Sequence, residues 1–260
     1  YPDMEFDFVM QEELLGLGHA IWCAKDTFKN DKLMIILGDT IFDVDLEVAT
    51  KSGENSLGTK EVDDPRRFGV ALLDENRKVK QLIEKPDDPV SNLALVGLYN
   101  IGNSQLLAEC LSELINKNIK TRGEYQLTDA LQLMIDKGEK FNVFPVEGWF
   151  DCGKPETLLS TNKFLLDQKP LSRDFKESII IPPVYISEKA DIRRSVIGPY
   201  TSVADGAIVE DSIVKNSIIS YGARVTSSLL DESIIGNDAE VEGSFTTLNV
   251  GNSSQIFQNK

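Results

Sequence analysis

The sequence predicts two architectures in tandem, an α/β domain followed by a parallel β-helix of six-residue repeats. Three observations carry this. Up to about residue 168, short apolar runs alternate with stretches of helical spacing. From about residue 178, a Ser followed by two aliphatics recurs at Ser195, Ser212, Ser217, Ser228 and Ser233. In the same stretch Ile197 and Val203, Ile219 and Val225, and Ile235 and Val241 are pairs of aliphatics six residues apart. Each pair has a short side chain two residues before its second member, namely Thr201, Ala223 and Ala239. Such a repeat suits stacked coils that each turn one aliphatic per strand inward. A β-sandwich is the competing reading, but its strands come at wider, less regular spacing.

The elements follow in order. Phe6 to Met10 reads as a strand and Gly18 to Lys29 as a helix. Lys32 to Leu37 is an apolar run ended by Gly38-Asp39, which suits a buried strand. Phe68 to Leu73 and Val79 to Glu84 are strands around a turn at Asp74-Glu75-Asn76, and Leu93 to Ile101 is a further strand. Ser104 to Lys117 and Thr128 to Lys137 have helical spacing, at Leu107, Leu111, Leu114 and at Leu131, Met134, Ile135. Phe141 to Val146 is a strand, and Pro155 to Leu166 is a helix with Pro in its first turn, where the missing N–H is harmless. Alternating strands and helices predict a largely parallel sheet. Lys163 to Ile180, containing Pro170, is the connector, which gives domains at 1–168 and 178–252.

Composition narrows the function. The 260 residues carry 42 Asp plus Glu against 27 Lys plus Arg, a formal charge of −15. That balance argues against nucleic acid or an anionic membrane as partner, although a small phosphate ligand needs only a local positive site. No apolar run is long enough to span a bilayer. Cys23, Cys110 and Cys152 are scattered, which fits neither a disulfide framework nor a zinc site and suggests a reducing cytoplasm. The chain opens at Tyr1-Pro2-Asp3-Met4-Glu5 and runs at once into a strand-like stretch, so an N-terminal truncation is expected.

The candidate chemistry lies in the first part. Gln11 ends a strand-like stretch and is followed by Gly16-Leu17-Gly18-His19-Ala20. Glycines there allow close backbone approach to a ligand, and a Gln amide offers one donor and one acceptor to the O4/N3 edge of uracil or thymine. Asp39, directly after a strand, suits Mg²⁺, which takes one or two carboxylates plus substrate phosphates; a turn or capping Asp is the plainer alternative. Asp151, in Trp149-Phe150-Asp151-Cys152-Gly153, is a second such carboxylate or a helix cap. Glu84-Lys85-Pro86 ends a strand; Lys85 would hold a phosphate and Glu84 would accept sugar hydroxyls, or the two form a surface ion pair. Glu124 is a further hydroxyl acceptor, and Thr128 reads as a helix cap.

The order of these motifs is more specific than any one of them. Gln11 with Gly-Leu-Gly-His-Ala, Leu-Gly-Asp39, Arg67-Phe68-Gly69-Val70, Glu84-Lys85-Pro86, Gly97-Leu98-Tyr99, Gly123-Glu124 with Thr128-Asp129, and Trp149-Phe150-Asp151-Cys152-Gly153 resemble sugar-1-phosphate nucleotidyltransferases. The likeness is strongest to glucose-1-phosphate thymidylyltransferases of the long form, and it covers about residues 5 to 166 and 180 to 250. It implies a Rossmann-like catalytic domain and a left-handed β-helix. By the resemblance, Gln11 and Gly16 would read the pyrimidine, and Asp39 and Asp151 would hold Mg²⁺. Gly69 and Glu84 would meet sugar hydroxyls with Gly97 close by, and Glu124 would add another contact. Lys85 would bind the sugar phosphate with Arg122 near it. The implied reaction joins glucose 1-phosphate to dTTP, releasing pyrophosphate, with uridylyl transfer from UTP as the alternative.

Departures matter as well. The family's G-x-G-T-R-L loop does not occur in the chain, so a fragment with little activity is expected, and a non-catalytic sugar-nucleotide-binding relative is a second alternative. Acyl transfer by the β-helix is disfavoured because it usually relies on a His there, and the one His is His19. A homo-oligomer is plausible because the end of the β-helix leaves strand edges to cover.

Overall fold

The computed structural model describes residues 4–47, 55–88, 90–168, 175–243 and 247–257, except the side chains of Asp151 and Phe257. Packing divides the chain into two units, Tyr1–Trp149 and Phe150–Lys260.

The first unit holds a six-stranded sheet in the order β5 (Val79–Glu84), β4 (Gly69–Leu73), β6 (Leu93–Ile101), β3 (Asn55–Glu61), β7 (Phe141–Pro145), with β1 (Leu33–Ile36) also on β6. β6 is apolar and buried almost throughout, and it is the hub to which β1, β3 and β4 all pair. The expected parallel sheet is not what forms. Among the described strands of this sheet only β3 and β7 run parallel; the β1–β6, β3–β6, β4–β5 and β4–β6 pairs are antiparallel. The turn at Asp74 explains one of these. Its carboxylate accepts from the Asn76 and Lys78 N–H groups at 2.8 and 2.9 Å, closing a short hairpin that forces β4 and β5 antiparallel.

Helices α2 (Ser104–Asn116) and α3 (Leu127–Asp136) bury Leu107, Leu111 and Leu114 and Leu131 and Met134 in a common core with Leu57, Ile101 and Phe141. Asn103 starts α2 by accepting from the Leu106 N–H at 3.1 Å. The helix expected over 18–29 is shorter: α1 spans Leu17–Cys23, and a 3₁₀ turn, Lys25–Thr27, follows.

Two expectations fail at the start of the chain. Phe6 to Met10 forms no strand, and Phe8 is 94% exposed. The stretch has strand-like composition, but among the described residues no strand pairs with it. The run at 32–37 does form β1, yet Met34 and Ile36 are exposed, because β1 is paired on one side only. Three strands were not foreseen: β2 (Thr40–Asp43), β3 and β8 (Gly148–Asp151).

The second unit begins with α4 (Pro155–Gln168) and continues as coils whose strands stack in three faces. One holds β9 (Ile179–Ile180), β12 (Val196–Ile197), β15 (Ile213–Lys215) and β18 (Leu229–Asp231). The second holds β10 (Val184–Ile186), β13 (Thr201–Val203), β16 (Ile218–Ile219), β19 (Ile234–Ile235) and β21 (Asn249–Val250). The third holds β11 (Asp191–Arg193), β14 (Ile208–Glu210), β17 (Arg224–Thr226), β20 (Glu240–Glu242) and β22 (Gln255–Phe257). Every pairing within these faces is parallel and in register, as in Ile197 against Val214 and Val209 against Val225. Ile197, Val203, Ile219, Val225, Ile235 and Val241 all lie in one buried core, with Thr201, Ala223 and Ala239 buried beside them. The repeat therefore marks the inward positions, as expected.

The serines have a separate role. Ser195 Oγ donates to the Arg193 carbonyl of its own coil and accepts from the Ser212 N–H of the next, and Ser212 does the same with Glu210 and Ser228. A second ladder runs from Ser217 through Ser233 to the Leu248 N–H. At each coil these hydroxyls satisfy a buried N–H where the chain turns, a bond worth about 1 kcal/mol and costlier to leave unmade. Asn162 of α4 accepts from Ser202 Oγ at 2.6 Å, and Lys163 Nζ sits 4.3 Å from the Tyr200 ring centroid. These contacts place α4 with the coils, whereas the sequence reading drew the boundary between 168 and 178. Pro170 of the expected connector lies outside the described residues.

Candidate functional site

The predicted residues of the first unit form two small groups. The first is built on the β4–β5 hairpin. Gly69 and Glu84 are register partners, so the first residue of β4 faces the last of β5. Glu84 is nearly buried, its side chain 9% exposed, and its Oε2 accepts from Thr128 Oγ1 at 2.6 Å. A Cβ on Gly69 would lie 2.8 Å from that hydroxyl and 3.0 Å from Glu84 Oε2, so only glycine lets the hydrogen-bonded pair pack this close to the β4 backbone. Lys85 follows in a left-handed conformation, φ 43°, with its N–H on the Phe68 carbonyl. Its ammonium is 3.6 Å from Glu84 Oε1 and half exposed. Arg122 donates to the Lys85 carbonyl at 2.8 Å and to Asp87 at 2.6 Å. One cation, Lys85, thus lies beside a carboxylate whose second oxygen is held by a hydroxyl, and Arg122 braces the lysine's backbone. Tyr99 feels the same carboxylate: burial first, and the Glu84 charge second, push its phenol far above the ordinary range.

The second group is built around the Gly16 turn. A Cβ on Gly16 would meet the Tyr125 carbonyl at 2.7 Å and Glu124 Cβ at 2.8 Å, and its φ of 108° is one that L side chains rarely adopt. The turn is pinned there by Tyr125 N–H to Leu15 O and Gly18 N–H to Tyr125 O, both 2.8 Å. Gln11 Nε2 donates to the Gly16 carbonyl at 3.1 Å and lies 3.0 Å from His19 Nδ1. The Gly16 bond takes one amide hydrogen, and the direction of the His19 contact follows the tautomer of the ring. Glu124 accepts from Gln126 Nε2 at 3.1 Å.

Asp39 stands apart, exposed in the turn between β1 and β2, with a long 3.4 Å contact to Thr40 Oγ1. Gly97, φ 84°, packs on Leu37: a Cβ there would be 2.7 Å from Leu37 Cδ1, and the Leu37 N–H reaches the Gly97 carbonyl at 3.0 Å. Gly97 therefore supports the turn that carries Asp39. Asp151 ends β8, but its side chain lies outside the described residues. Among the described residues no cluster of three or more His, Cys, Asp or Glu could by itself hold a metal ion.

Sequence reasoning missed two partners. Thr128 is not the cap of α3, which begins after Gln126 with no side-chain cap; its hydroxyl serves Glu84 instead. His19 stacks on Trp22, with centroids 5.8 Å apart, and touches Gln11. Asp129, beside Thr128, has one buried carboxylate oxygen without a partner, and burial raises its pKa against a weaker opposing bond from Thr121.

Comparison with known proteins places the chain in a family. Residues 3–168 match the family model described as Nucleotidyl transferase. The chain is 33% identical to the low-salt glycan biosynthesis nucleotidyltransferase Agl11 of Haloferax volcanii, over 92% of the chain and 73% of that protein. It is 30% identical to a glucose-1-phosphate thymidylyltransferase of Streptomyces griseus, again over 92% and 73%. Its fold is similar to the crystal structure of a UDP-glucose pyrophosphorylase complexed with UDP-glucose, with a TM-score of 0.55, 25% identity, and 63% and 67% of the two chains covered. With a Rossmann-like nucleotidyltransferase domain followed by a parallel β-helix, the chain belongs to the sugar-1-phosphate nucleotidyltransferases.

Proposed function

We propose that the protein joins a sugar 1-phosphate, glucose 1-phosphate first, to a pyrimidine nucleoside triphosphate, dTTP or UTP, with release of pyrophosphate. The observation that carries this is the Gly69–Glu84–Thr128 arrangement with Lys85 and Arg122 beside it. A carboxylate oriented by a hydroxyl and packed against a glycine backbone suits sugar hydroxyls, which donate to it. Two adjacent cations suit the phosphate at the sugar's anomeric carbon. The reaction is an in-line displacement. An oxygen of the sugar phosphate forms a bond to the α-phosphorus, the bond from that phosphorus to the β-phosphate oxygen breaks, and pyrophosphate carries away the electron pair. Neither partner needs a proton removed, so the chain's contribution is alignment and charge compensation. Lys85 offsets the repulsion between the two phosphates as they approach.

Mg²⁺ fits the residues available. Asp39 offers an exposed carboxylate, and a hard cation accepts one or two such ligands plus phosphate oxygens. Asp39 would be one of its ligands, and when bound it neutralises charge on the triphosphate. The choice of dTTP follows the Streptomyces relative, and UTP follows the solved UDP-glucose pyrophosphorylase; uracil and thymine share the edge that Gln11 would meet.

Replacing Lys85 with Ala tests the reading. The expected result is a rise in KM for the sugar phosphate of about tenfold or more, with the nucleotide KM unchanged. Unchanged KM and kcat would remove Lys85 from the site.

A further inference from the structure

We infer that His19 is a positioning residue for base recognition, its ring locking the Gln11 amide so that only the carbonyl oxygen faces the ligand. This rests on the reading that Gln11 meets the base. The Gly16 carbonyl can only accept, so the nitrogen of the Gln11 amide must face it, at 3.1 Å. That fixes which end of the amide is which. The same nitrogen is 3.0 Å from His19 Nδ1, so this ring nitrogen must accept, and a neutral His19 carries its proton on Nε2.

The ring is itself held. It stacks on Trp22 at an interplanar angle of 23°, and the Trp22 indole donates to Ser112 Oγ at 3.0 Å. On another side the Tyr125 ring lies 6.4 Å away, anchored by its hydroxyl on Asn118 at 2.9 Å. With both amide hydrogens taken, Gln11 Oε1 is left to accept. Uracil and thymine present an N–H at ring position 3, whereas cytosine presents a lone pair there. At position 3 the locked amide therefore matches uracil and thymine and not cytosine. Protonating His19 would put a donor on Nδ1 against the donating amide and release it. The titratable groups around the ring are Glu12, Glu13, Cys23 and Lys25, which line the cleft beside it, and Tyr125.

Because the chain has a single His, long-range ¹H–¹⁵N NMR reads its tautomer without assignment ambiguity. The expected spectrum at neutral pH shows a bare Nδ1 and a protonated Nε2, with this preference weakened in Gln11→Ala. In calorimetry, His19→Leu should weaken dTTP and UTP binding about three- to tenfold, the loss expected for one hydrogen bond, with the Kd for sugar phosphate unchanged. His19→Asn, whose Oδ1 takes the place of Nδ1, should restore it. Wild-type nucleotide Kd should rise as His19 protonates, a dependence absent from His19→Asn. A proton on Nδ1 overturns the inference. So does a His19→Leu protein that binds nucleotide normally while Gln11→Ala does not. If Gln11→Ala also binds normally, the base-reading assignment fails first and the inference with it.

Discussion

Gly69→Ala is the sharpest probe of the sugar site. Gly69 has no positive φ, so the β4 backbone accepts alanine, and the effect comes from the methyl alone. That methyl would lie 2.8 Å from Thr128 Oγ1, 3.0 Å from Glu84 Oε2 and 3.1 Å from Leu95 Cδ1. All three are too close for carbon, and the first two are the ends of the 2.6 Å hydrogen bond that orients Glu84. Leu95 and Thr128 are both buried, and the Thr128 hydroxyl, the nearest of the three atoms, is the one the methyl displaces first. Losing a hydrogen bond to a charged acceptor costs about 1.5–3 kcal/mol, equivalent to roughly a 10- to 150-fold fall in kcat/KM for sugar phosphate. Nucleotide KM should stay unchanged. Steady-state kinetics with each substrate varied in turn gives both numbers. Gly69→Ala combined with Thr128→Ala supplies the control, because removing the hydroxyl makes room for the methyl. The double variant should then be less impaired than the two single losses added together. Additive losses, or a Gly69→Ala protein within twofold of wild type, would refute the argument.

Other consequences follow from single side chains. Asp129→Asn should raise the melting temperature at pH 7 to 8. Burial lifts the Asp129 pKa above its unfolded value, so its contribution is favourable at low pH and is lost as pH rises through the folded value. The gain should shrink towards pH 4 in a melting series, and a constant gain would point to another cause. Ile219→Ala, at a fully buried β-helix position, should cost about 2–5 kcal/mol in urea unfolding; a loss below about 1 kcal/mol would mean the coil closes over the cavity. Asp39→Asn should lower kcat about 100-fold or more with an unchanged circular dichroism spectrum, as expected when a charge-stabilising group is removed. Undiminished turnover would take Asp39 out of the site.

Much of this was legible in sequence, for identifiable reasons. The β-helix showed itself because each coil must place an aliphatic inward at a fixed position, so Ile197, Ile219 and Ile235 recur where the geometry recurs. β6 showed itself as a long apolar strand. β3 did not, although it lies inside the sheet between β6 and β7. Its sequence, Asn-Ser-Leu-Gly-Thr-Lys-Glu, has one aliphatic, and its buried polar residues Asn55 and Thr59 are satisfied by other chain segments. Asn55, for instance, binds Glu139 and the Gly102 N–H. Phe6 to Met10 erred the other way, since pattern alone cannot supply a pairing partner. In the site, Glu84 stood out as a strand end, whereas Gly69 came only from the family resemblance. The Thr128 bond to Glu84 joins residues far apart in sequence, and a Thr near a helix start reads first as a cap. The same distance problem hid His19 behind Gln11, where the direction of an amide decides what the ligand meets.

The central claim is the reaction, and pyrophosphate release tests it most directly. The assay supplies Mg²⁺ and glucose 1-phosphate with dTTP, UTP, CTP, GTP or ATP in parallel, using this chain and the product of its whole gene. The account predicts release that requires both substrates and is fastest with dTTP or UTP. Silence with all five from folded protein, or release that ignores the sugar phosphate, would contradict it.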